Sequence, residues 1–431
     1  MKLIANHPAA RLDLTTEAAP EADGIRIVFS GAGTAFLVIH ATMPLVLGAS
    51  APSGAALVPG WDGTLGYSHY GLRVSADGPG TMRVPLHEVP PPPAIVADEP
   101  GELDRFREGF ARRASRFPES PAALGAWQDA WRAKLRGWLL GEHMPVSTGT
   151  NARLLGEETR AGLPLQRYAY ASASGYDSTF LFCNPGDTAE KKPLLVCLHG
   201  HEATWGDADA GAFEPGHNDD FCHYFATHGW AVLQPATMDH RLRIAGGTLQ
   251  GQWMLDAESA LDWAITQPGV DPRRVAVCGL SAGAHIAMGL LALDRRIAAG
   301  VVGCILSTWH HVRTRFRIPP HCDCGISGQL GDRIEQCDWA ALAAPTPVQF
   351  QHGRQDACFC PDGFESCLNL EWNTGLLPAA EFETLFDEVR RAWRTAGHPS
   401  NVNLHIHGGR HSVDSAAALA WLERHVGPAR R

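Results

Sequence analysis

One serine in this chain of 431 residues has neighbours suited to nucleophilic catalysis. The apolar run Val275–Cys278 ends in the Gly-Leu-Ser-Ala-Gly stretch Gly279–Gly283, and a helical pattern of small residues follows at once. This order predicts a strand, a sharp turn and a helix, with Ser281 at the tip of the turn and glycines where strand and helix pass close together. The turn would lift the Ser281 hydroxyl clear of the sheet and aim the backbone N–H of Ala282 at the position of an oxyanion.

Two further residues would complete a catalytic triad with this serine. Asp356 follows the apolar run Val348–Gln351, and His411 lies between the last predicted strand and the last predicted helix. A serine is a poor nucleophile unless a histidine takes its proton, and that histidine needs a carboxylate to fix its tautomer and stabilise the imidazolium. Because parallel strands share one carboxyl edge, we expect Ser281, Asp356 and His411 to meet there as nucleophile, acid and base.

Other aspartates are alternatives for the acid, because an aspartate after a His-Gly pair can also cap a turn. Asp414 is the weakest alternative, since it lies too near His411 in sequence. The remaining alternatives are Asp332, Asp338 and Asp362.

A second oxyanion donor is expected in the loop after the first strand of the parallel sheet. That strand, Leu194–His199, is followed by Gly200, which lets the backbone turn so that the N–H of His201 or Glu202 faces the serine. We assign His201 as the donor together with Ala282. The imidazole rings of both histidines in this stretch are expected to be structural.

Four aromatic residues are expected on loops around the mouth of the site. Each one alone is more often a packing residue, but four together favour an apolar or sugar-stacking cleft. They are Trp205, Trp253, Trp309 and Phe359.

The sequence predicts two domains. Up to about residue 100, short β-rich runs separated by turn residues are typical of a small sandwich, and the polyproline stretch Val89–Ala94 ends this domain as a linker. We interpret residues 1–100 as a packing or oligomerisation module. The sequence leaves open whether the protein forms a homo-oligomer. Residues 101–431 form the catalytic domain, which begins with a helical lead-in at about 102–141.

Within the catalytic domain, two strands near 165–183 precede a regular alternation of strands and helices. The later strands are short and fully apolar, as in Ala299–Ile305. This pattern predicts an α/β fold with a doubly wound, mostly parallel sheet and helices on both faces. Besides the helix after the serine, helices are expected near 219–228, 252–266, 380–395 and 413–426.

Charge and hydropathy indicate which kinds of binding partner and which cellular location to expect for this protein. A net charge of −10 argues against nucleic acid or an acidic membrane surface as a partner. No apolar run is long enough to span a bilayer, and the first residues, Met1–Pro8, lack the apolar segment of a secretory signal, so a cytoplasmic location is expected.

Two groups stand out among the eleven cysteines. Cys197, Cys278 and Cys304 lie among aliphatic residues and are expected to be small buried hydrophobes in a reducing compartment. The remaining group around His321–Cys324 raises zinc as an alternative, but its C-x-C pairs lack the C-x-x-C spacing of structural zinc sites. We therefore expect no metal.

Six segments of the chain also occur together in a known superfamily. They are Leu198–Gly200, Val270–Val275, Gly279–Gly283, Ala292–Ile297, His321–Cys324 and His352–Asp356. On these segments, the chain from about residue 160 to the end resembles the α/β-hydrolase superfamily, in particular its bacterial dienelactone-hydrolase-like and acetyl-xylan-esterase-like branch. The resemblance implies an α/β-hydrolase fold, no cofactor, and Ser281, Asp356 and His411 as the triad.

These observations predict a serine carboxylic-ester hydrolase that works through an acyl-enzyme. The resemblance implies a small-molecule or carbohydrate substrate with a short acyl group such as acetyl. A peptidase of the prolyl-oligopeptidase-like type is the alternative among enzymes, but the first 100 residues are too short for a β-propeller. A catalytically inactive binding protein with this fold is the alternative of another class, and the presence of the whole triad argues against it. A dehalogenase would carry an aspartate in place of Ser281.

Overall fold

The chain divides into two compact units, one formed by the described residues up to Glu88 and the other by those from Ser115 onward. The residues that the computed structural model describes are 2–4, 17–40, 45–53, 55–59, 69–88, 115–141, 145, 151–175, 177–200, 213, 220–237, 247–309, 330, 333–353, 379–409 and 411–429.

The first unit contains two antiparallel four-stranded sheets. Their strands are β1 (Lys2–Ile4), β2 (Glu17–Glu21), β3 (Gly24–Phe29), β4 (Gly33–His40), β5 (Leu45–Leu47), β6 (Ala56–Pro59), β7 (His69–Ala76) and β8 (Gly80–Glu88). The strand orders are β1-β4-β7-β6 and β2-β3-β8-β5. Alternate side chains of both sheets, such as Ile25 and Ile27 on β3 and Leu72 and Val74 on β7, share one core, as expected for a sandwich.

The second unit is built on one sheet of nine strands in the order β17-β16-β15-β14-β12-β13-β11-β10-β9. The strands are β9 (Ala152–Arg160), β10 (Leu163–Ala171), β11 (Asp177–Cys183), β12 (Lys192–Leu198), β13 (Ala231–Pro235), β14 (Val270–Leu280), β15 (Ile297–Gly303), β16 (Val348–Gly353) and β17 (Val402–His407). The six strands β12 to β17 pair in parallel, whereas β9, β10 and β11 pair antiparallel. The carboxyl ends of the six parallel strands therefore share one edge of the sheet.

Seven described helices belong to this unit. They are α1 (Pro121–Leu140), α2 (Phe221–Thr227), α3 (Leu249–Ala264), α4 (Ala282–Leu293), α5 (Gln336–Ala341), α6 (Ala379–Thr395) and α7 (Ser415–Val426). Helix α4 is buried along nearly its whole length, which its run of small and aliphatic residues permits.

Helix α1 is fixed to the unit by side chains that bind backbone carbonyl groups elsewhere. Its first residue is a proline, and the hydroxyl of Ser120 accepts a bond from Ala123 N as the N-cap. The amide of the buried Gln128 donates to the carbonyl oxygens of Ala341 and Ala344, at 2.8 and 2.7 Å. This helix therefore packs on the rest of the second unit.

The structure corrects several boundaries. The helical lead-in was expected at about 102–141, but Ser115–Ser120 are not helical and residues 102–114 lie outside the described part of the chain. The sequence pattern missed β9, the edge strand of the large sheet, and the short helix α5. Both lack an apolar periodicity long enough to distinguish them from loops.

Cysteine burial follows the expectation where the structure describes it. Cys197, Cys278 and Cys304 are buried, and so are Cys183, Cys222 and Cys337. The group expected around Cys322, Cys324, Cys358 and Cys360 lies outside the described residues. Among the residues that are described, no helix is long and apolar enough to cross a membrane.

Candidate active site

Ser281 occupies the sharp turn between β14 and α4. Its backbone has φ 56° and ψ −122°, a conformation that costs a residue with a side chain about 1–3 kcal/mol. The flanking glycines allow the close approach that this turn imposes. A methyl group on Gly279 would lie 2.4 Å from Gly283 O, and one on Gly283 would lie 2.1 Å from Leu198 O. The elbow predicted from the sequence is therefore present.

The backbone of Ser281 is held to the neighbouring strand. Its N–H donates to Gly303 O, the last carbonyl of β15, at 2.9 Å, and its own carbonyl accepts from Ala284 N at 2.9 Å. The serine retains only 7% of its accessible surface. The backbone of the elbow is therefore buried and hydrogen-bonded through both its N–H and its carbonyl group.

The loop after β12 lies directly against the serine. A methyl group on Gly200 would lie 3.4 Å from Ser281 Cβ and 3.6 Å from Leu280 O, so the backbone passes beside the nucleophile. Ala282 is the first residue of α4, and its N–H therefore has no acceptor within the helix. Both features suit an oxyanion hole. His201, the expected second donor, and its alternative Glu202 lie outside the described residues.

The ring of His199 fixes the start of this loop. Its Nδ1 lies 2.9 Å from Gly200 O, and its Nε2 lies 3.2 Å from Thr237 Oγ1. Because Thr237 N also points at Nε2, at 3.4 Å, the partners assign Nδ1 as the protonated nitrogen. The side chain is buried, and it ties the end of β12 to the end of β13. These contacts give His199 a structural role, as expected.

His411 lies in the segment between β17 and α7, which we call the histidine loop, residues 408–414. Strand β17 is three strands from β14, which corresponds to about 14 Å at ordinary strand spacing. The histidine loop crosses part of that distance, because the Cys304 thiol, just past β15, lies 3.4 Å from Ser412 O. A methyl group on Gly303 would also lie 3.0 Å from Val413 Cγ2. Residues 412 and 413 thus contact the strand that binds Ser281.

The far end of the histidine loop is held by Asp414. Its Oδ2 lies 2.8 Å from His405 Nε2, and its Oδ1 accepts from Ala417 N at 3.0 Å as the N-cap of α7. Burial raises the pKa of this carboxyl, but the bonds from Ala417 and His405 outweigh burial and leave the pKa below its ordinary value. Asp414 therefore acts as a cap and an anchor.

The predicted acid of the triad is not among the residues that the structure describes. Asp356, together with the alternatives Asp332 and Asp362, lies outside the described residues. Asp338 is described, and its Oδ1 accepts from the backbone N–H of Arg116 at 2.7 Å. This bond joins the lead-in to α5, so Asp338 has a structural task. Asp356 remains the predicted acid. It follows β16, and β16 pairs with β17, the strand that precedes His411.

The expected aromatic cleft is not formed by the two tryptophans that the structure describes. Trp253 is 0% exposed and lies within α3 rather than on a loop. Trp309 is 1% exposed, and its indole N–H donates to Ile334 O. Both are packing residues, so the placement at the mouth is corrected. Trp205 and Phe359 lie outside the described residues.

The sequence reading missed two residues that shape this edge of the sheet. Cys304 has φ 56° directly after β15, although the sequence suggests only a small buried hydrophobe. Gln351 was read as the end of an apolar strand, yet its side chain binds Asp414. A glutamine in an otherwise apolar central strand is the signal that could have identified it, because a buried amide needs partners.

No family model matches the sequence. Among solved structures, a proposed acetyl xylan esterase from Bacteroides fragilis is similar with a TM-score of 0.56 at 17% identity, over 75% of this chain and 94% of that one. A glucuronoyl esterase from Solibacter usitatus gives a TM-score of 0.51 at 14% identity, over 73% of this chain and 98% of the other. A methylesterase gives 0.50 at 16% identity, over 76% and 67%.

Strand order, elbow and structural similarity agree on one class. The chain has the α/β-hydrolase fold, with a serine at the elbow between β14 and α4 and a small β unit earlier in the sequence.

Proposed function

We propose that this protein is a serine hydrolase of carboxylic esters. One observation carries the proposal: Ser281 stands at a left-handed elbow, with the Gly200 backbone against its Cβ. A backbone conformation of this cost persists where the surrounding structure imposes it, and such positions cluster at active sites.

The proposed reaction follows from the groups around the elbow. His411 takes the proton of the Ser281 hydroxyl as the oxygen attacks the ester carbonyl, and the N–H groups of Ala282 and His201 bind the resulting oxyanion. His411 then gives that proton to the leaving alkoxide, which departs as the alcohol. Water attacks the acyl-enzyme by the same route and releases the acid, while Asp356 stabilises the imidazolium.

The substrate class is proposed from the similar structures. Their names are those of an acetyl xylan esterase, a glucuronoyl esterase and a methylesterase, so ester cleavage is common to all three. We infer that the substrate is a small-molecule or carbohydrate ester and that its acyl group is short. The short acyl group follows the acetyl ester in the name of the first of these structures.

The test is hydrolysis of p-nitrophenyl esters from acetate to longer acyl chains, with labelling by a serine-reactive phosphonate mapped by mass spectrometry. The wild-type chain should cleave acetate fastest and carry the label on Ser281. Ser281→Ala should lose about 10⁴-fold or more in kcat. Ser259→Ala is the matched control, because Ser259 is also buried but binds Leu255 O within α3, and it should keep its activity.

Two other results would identify the alternatives. Cleavage of a prolyl p-nitroanilide without ester hydrolysis would indicate a peptidase. A folded wild-type protein with neither activity nor label would indicate a binding protein.

A further inference from the structure

Gln351 connects the strand that supports the serine to the loop that carries the histidine. It lies near the end of β16, is fully buried, and is bonded through both its backbone and its side chain. Its carbonyl oxygen accepts from Cys304 N at 2.8 Å, directly after Gly303, whose own carbonyl binds Ser281 N. The backbone of Gln351 thus fixes the segment on which the nucleophile rests.

The side chain of Gln351 binds both backbone groups of Asp414. Its Oε1 accepts from Asp414 N at 2.8 Å, and its Nε2 donates to Asp414 O at 3.2 Å. A buried amide that satisfies the donor and the acceptor of one residue fixes both the position and the orientation of that residue. A further bond from Nε2 to Gln349 Oε1, at 2.7 Å, determines which way the amide faces.

Two histidines of β17 complete this arrangement. His405 is the cross-strand partner of Gln351, and it binds the Asp414 carboxylate while Gln351 binds the Asp414 backbone. His407 lies with Nε2 at 3.1 Å from Ser412 O, and its Nδ1 accepts from Gly409 N at 3.1 Å. The histidine loop is therefore bonded at Gly409, Ser412 and Asp414, on both sides of His411.

We propose that Gln351 is a positioning residue that holds His411 at working distance from Ser281, an inference that rests on the proposed function. Proton transfer between a hydroxyl and an imidazole needs a heavy-atom separation of about 2.6–3.2 Å. A displacement of about 1 Å can lower the rate about 100-fold. Gln351 opposes such a displacement because one residue binds the supports of both groups. Because Gln351 is fully buried, its role is exerted through these supports.

The test compares Gln351→Met with Gln128→Met. Methionine keeps the length of the side chain and removes its hydrogen bonds. Gln128 is the matched control, because it is also buried and also binds two backbone groups, but its partners Ala341 O and Ala344 O belong to neither the elbow nor the histidine loop. Thermal unfolding should be cooperative for both variants, with similar losses of melting temperature.

The readouts are kcat and KM for p-nitrophenyl acetate and the imidazole ¹⁵N signal of His411, assigned by its absence in His411→Ala. We expect Gln351→Met to lower kcat by about 10- to 100-fold, keep KM within about twofold and shift the His411 signal. Gln128→Met should keep kcat and the signal. Equal kcat losses in the two variants, or an unmoved His411 signal in Gln351→Met, would overturn the proposal.

The proposed function can fail separately. If wild-type protein hydrolyses no ester, the function is wrong, and the ¹⁵N signal still decides whether Gln351 holds His411. If wild-type protein is active and the two glutamine variants behave alike, only the positioning role is wrong.

Discussion

The Cys304 thiol lies 3.4 Å from the carbonyl oxygen of Ser412, although 108 positions separate the two residues. Cys304 follows the carbonyl that binds Ser281 N, and Ser412 follows His411. The contact therefore joins the residue after the one that binds the proposed nucleophile to the residue after the proposed base. It forms because Cys304 leaves its strand with φ 56°, which turns the chain at the carboxyl edge of the sheet.

The backbone of Cys304 predicts a strong response to a β-branched side chain. Cys304→Val should lower the free energy of unfolding by about 2–4 kcal/mol, because a β-branched side chain tolerates a positive φ less well than cysteine does and the second branch must also fit a buried site. Urea denaturation followed by circular dichroism measures the change.

Cys278→Val provides the matched control for this substitution. Cys278 is equally buried but lies within β14, where extended backbone suits valine, so the loss should stay below about 1.5 kcal/mol. Equal losses at the two positions would show that strain at Cys304 has no energetic weight.

Gly283→Ala should disrupt the elbow. The added methyl group would lie 2.1 Å from Leu198 O and 2.4 Å from His199 O, and backbone atoms cannot move away without displacing β12. We expect a loss of about 3 kcal/mol or more in unfolding free energy, together with the loss of ester hydrolysis. Thermal denaturation and the acetate assay measure the two effects.

Gly289→Ala is the comparison within the same helix. There the nearest atoms are the flexible Met254 Sδ at 3.3 Å and a Trp339 carbon at 3.8 Å. Alanine also favours a helix interior over glycine by about 1 kcal/mol, so this variant should change stability by less than about 1 kcal/mol. An intact, active Gly283→Ala protein would contradict the close approach of helix and strand.

The parallel sheet and the elbow could be predicted from the sequence because both leave local signals. Runs of aliphatic residues mark β12, β14 and β15, and the glycines around Ser281 mark the turn. The position of His411 after the last strand then follows from the shared carboxyl edge. Neither step needs knowledge of contacts between segments that are distant in the sequence.

The supports of the site could not be predicted in this way, because they depend on contacts between distant segments. The positive φ of Cys304 is set where its N–H binds Gln351 O and the preceding carbonyl binds Ser281 N. The residues next to Cys304 in the sequence give no sign of this backbone conformation. Trp253 was expected at the mouth of the site, but it is buried within α3, which begins three residues before the helix expected near 252–266. Propensity gives element boundaries only to within a few residues.

The acid of the triad gives a prediction on activity. Asp356→Asn should lower kcat by about 10³-fold or more, because an amide leaves the histidine in the wrong tautomer. Asp362→Asn and Asp338→Asn should each keep kcat within about threefold, since Asp338 binds the Arg116 backbone. Steady-state kinetics on p-nitrophenyl acetate measure kcat for the three variants. A large loss of kcat in Asp362→Asn alone would assign the acid to Asp362 instead.

The buried carboxyl of Asp338 predicts a pH dependence of stability. Burial raises its pKa from 3.8 to about 6, against the opposing bonds from the Arg116 and Phe117 backbone. The folded state therefore holds this proton more tightly than the unfolded state does. Stability from this group is fully present below the unfolded pKa of about 4 and is lost as the pH rises through about 6.

Asp338→Asn cannot ionise, and its Oδ1 can still accept from Arg116 N. The free energy of unfolding of the wild-type chain, relative to this variant, should fall by on the order of 2–3 kcal/mol between pH 4 and pH 7. Urea denaturation at several pH values between 4 and 7 measures this difference. The contributions of the other carboxyl groups are the same in both proteins and cancel in the difference. A difference that stays constant with pH would mean that Asp338 ionises as easily in the folded protein as in the unfolded chain.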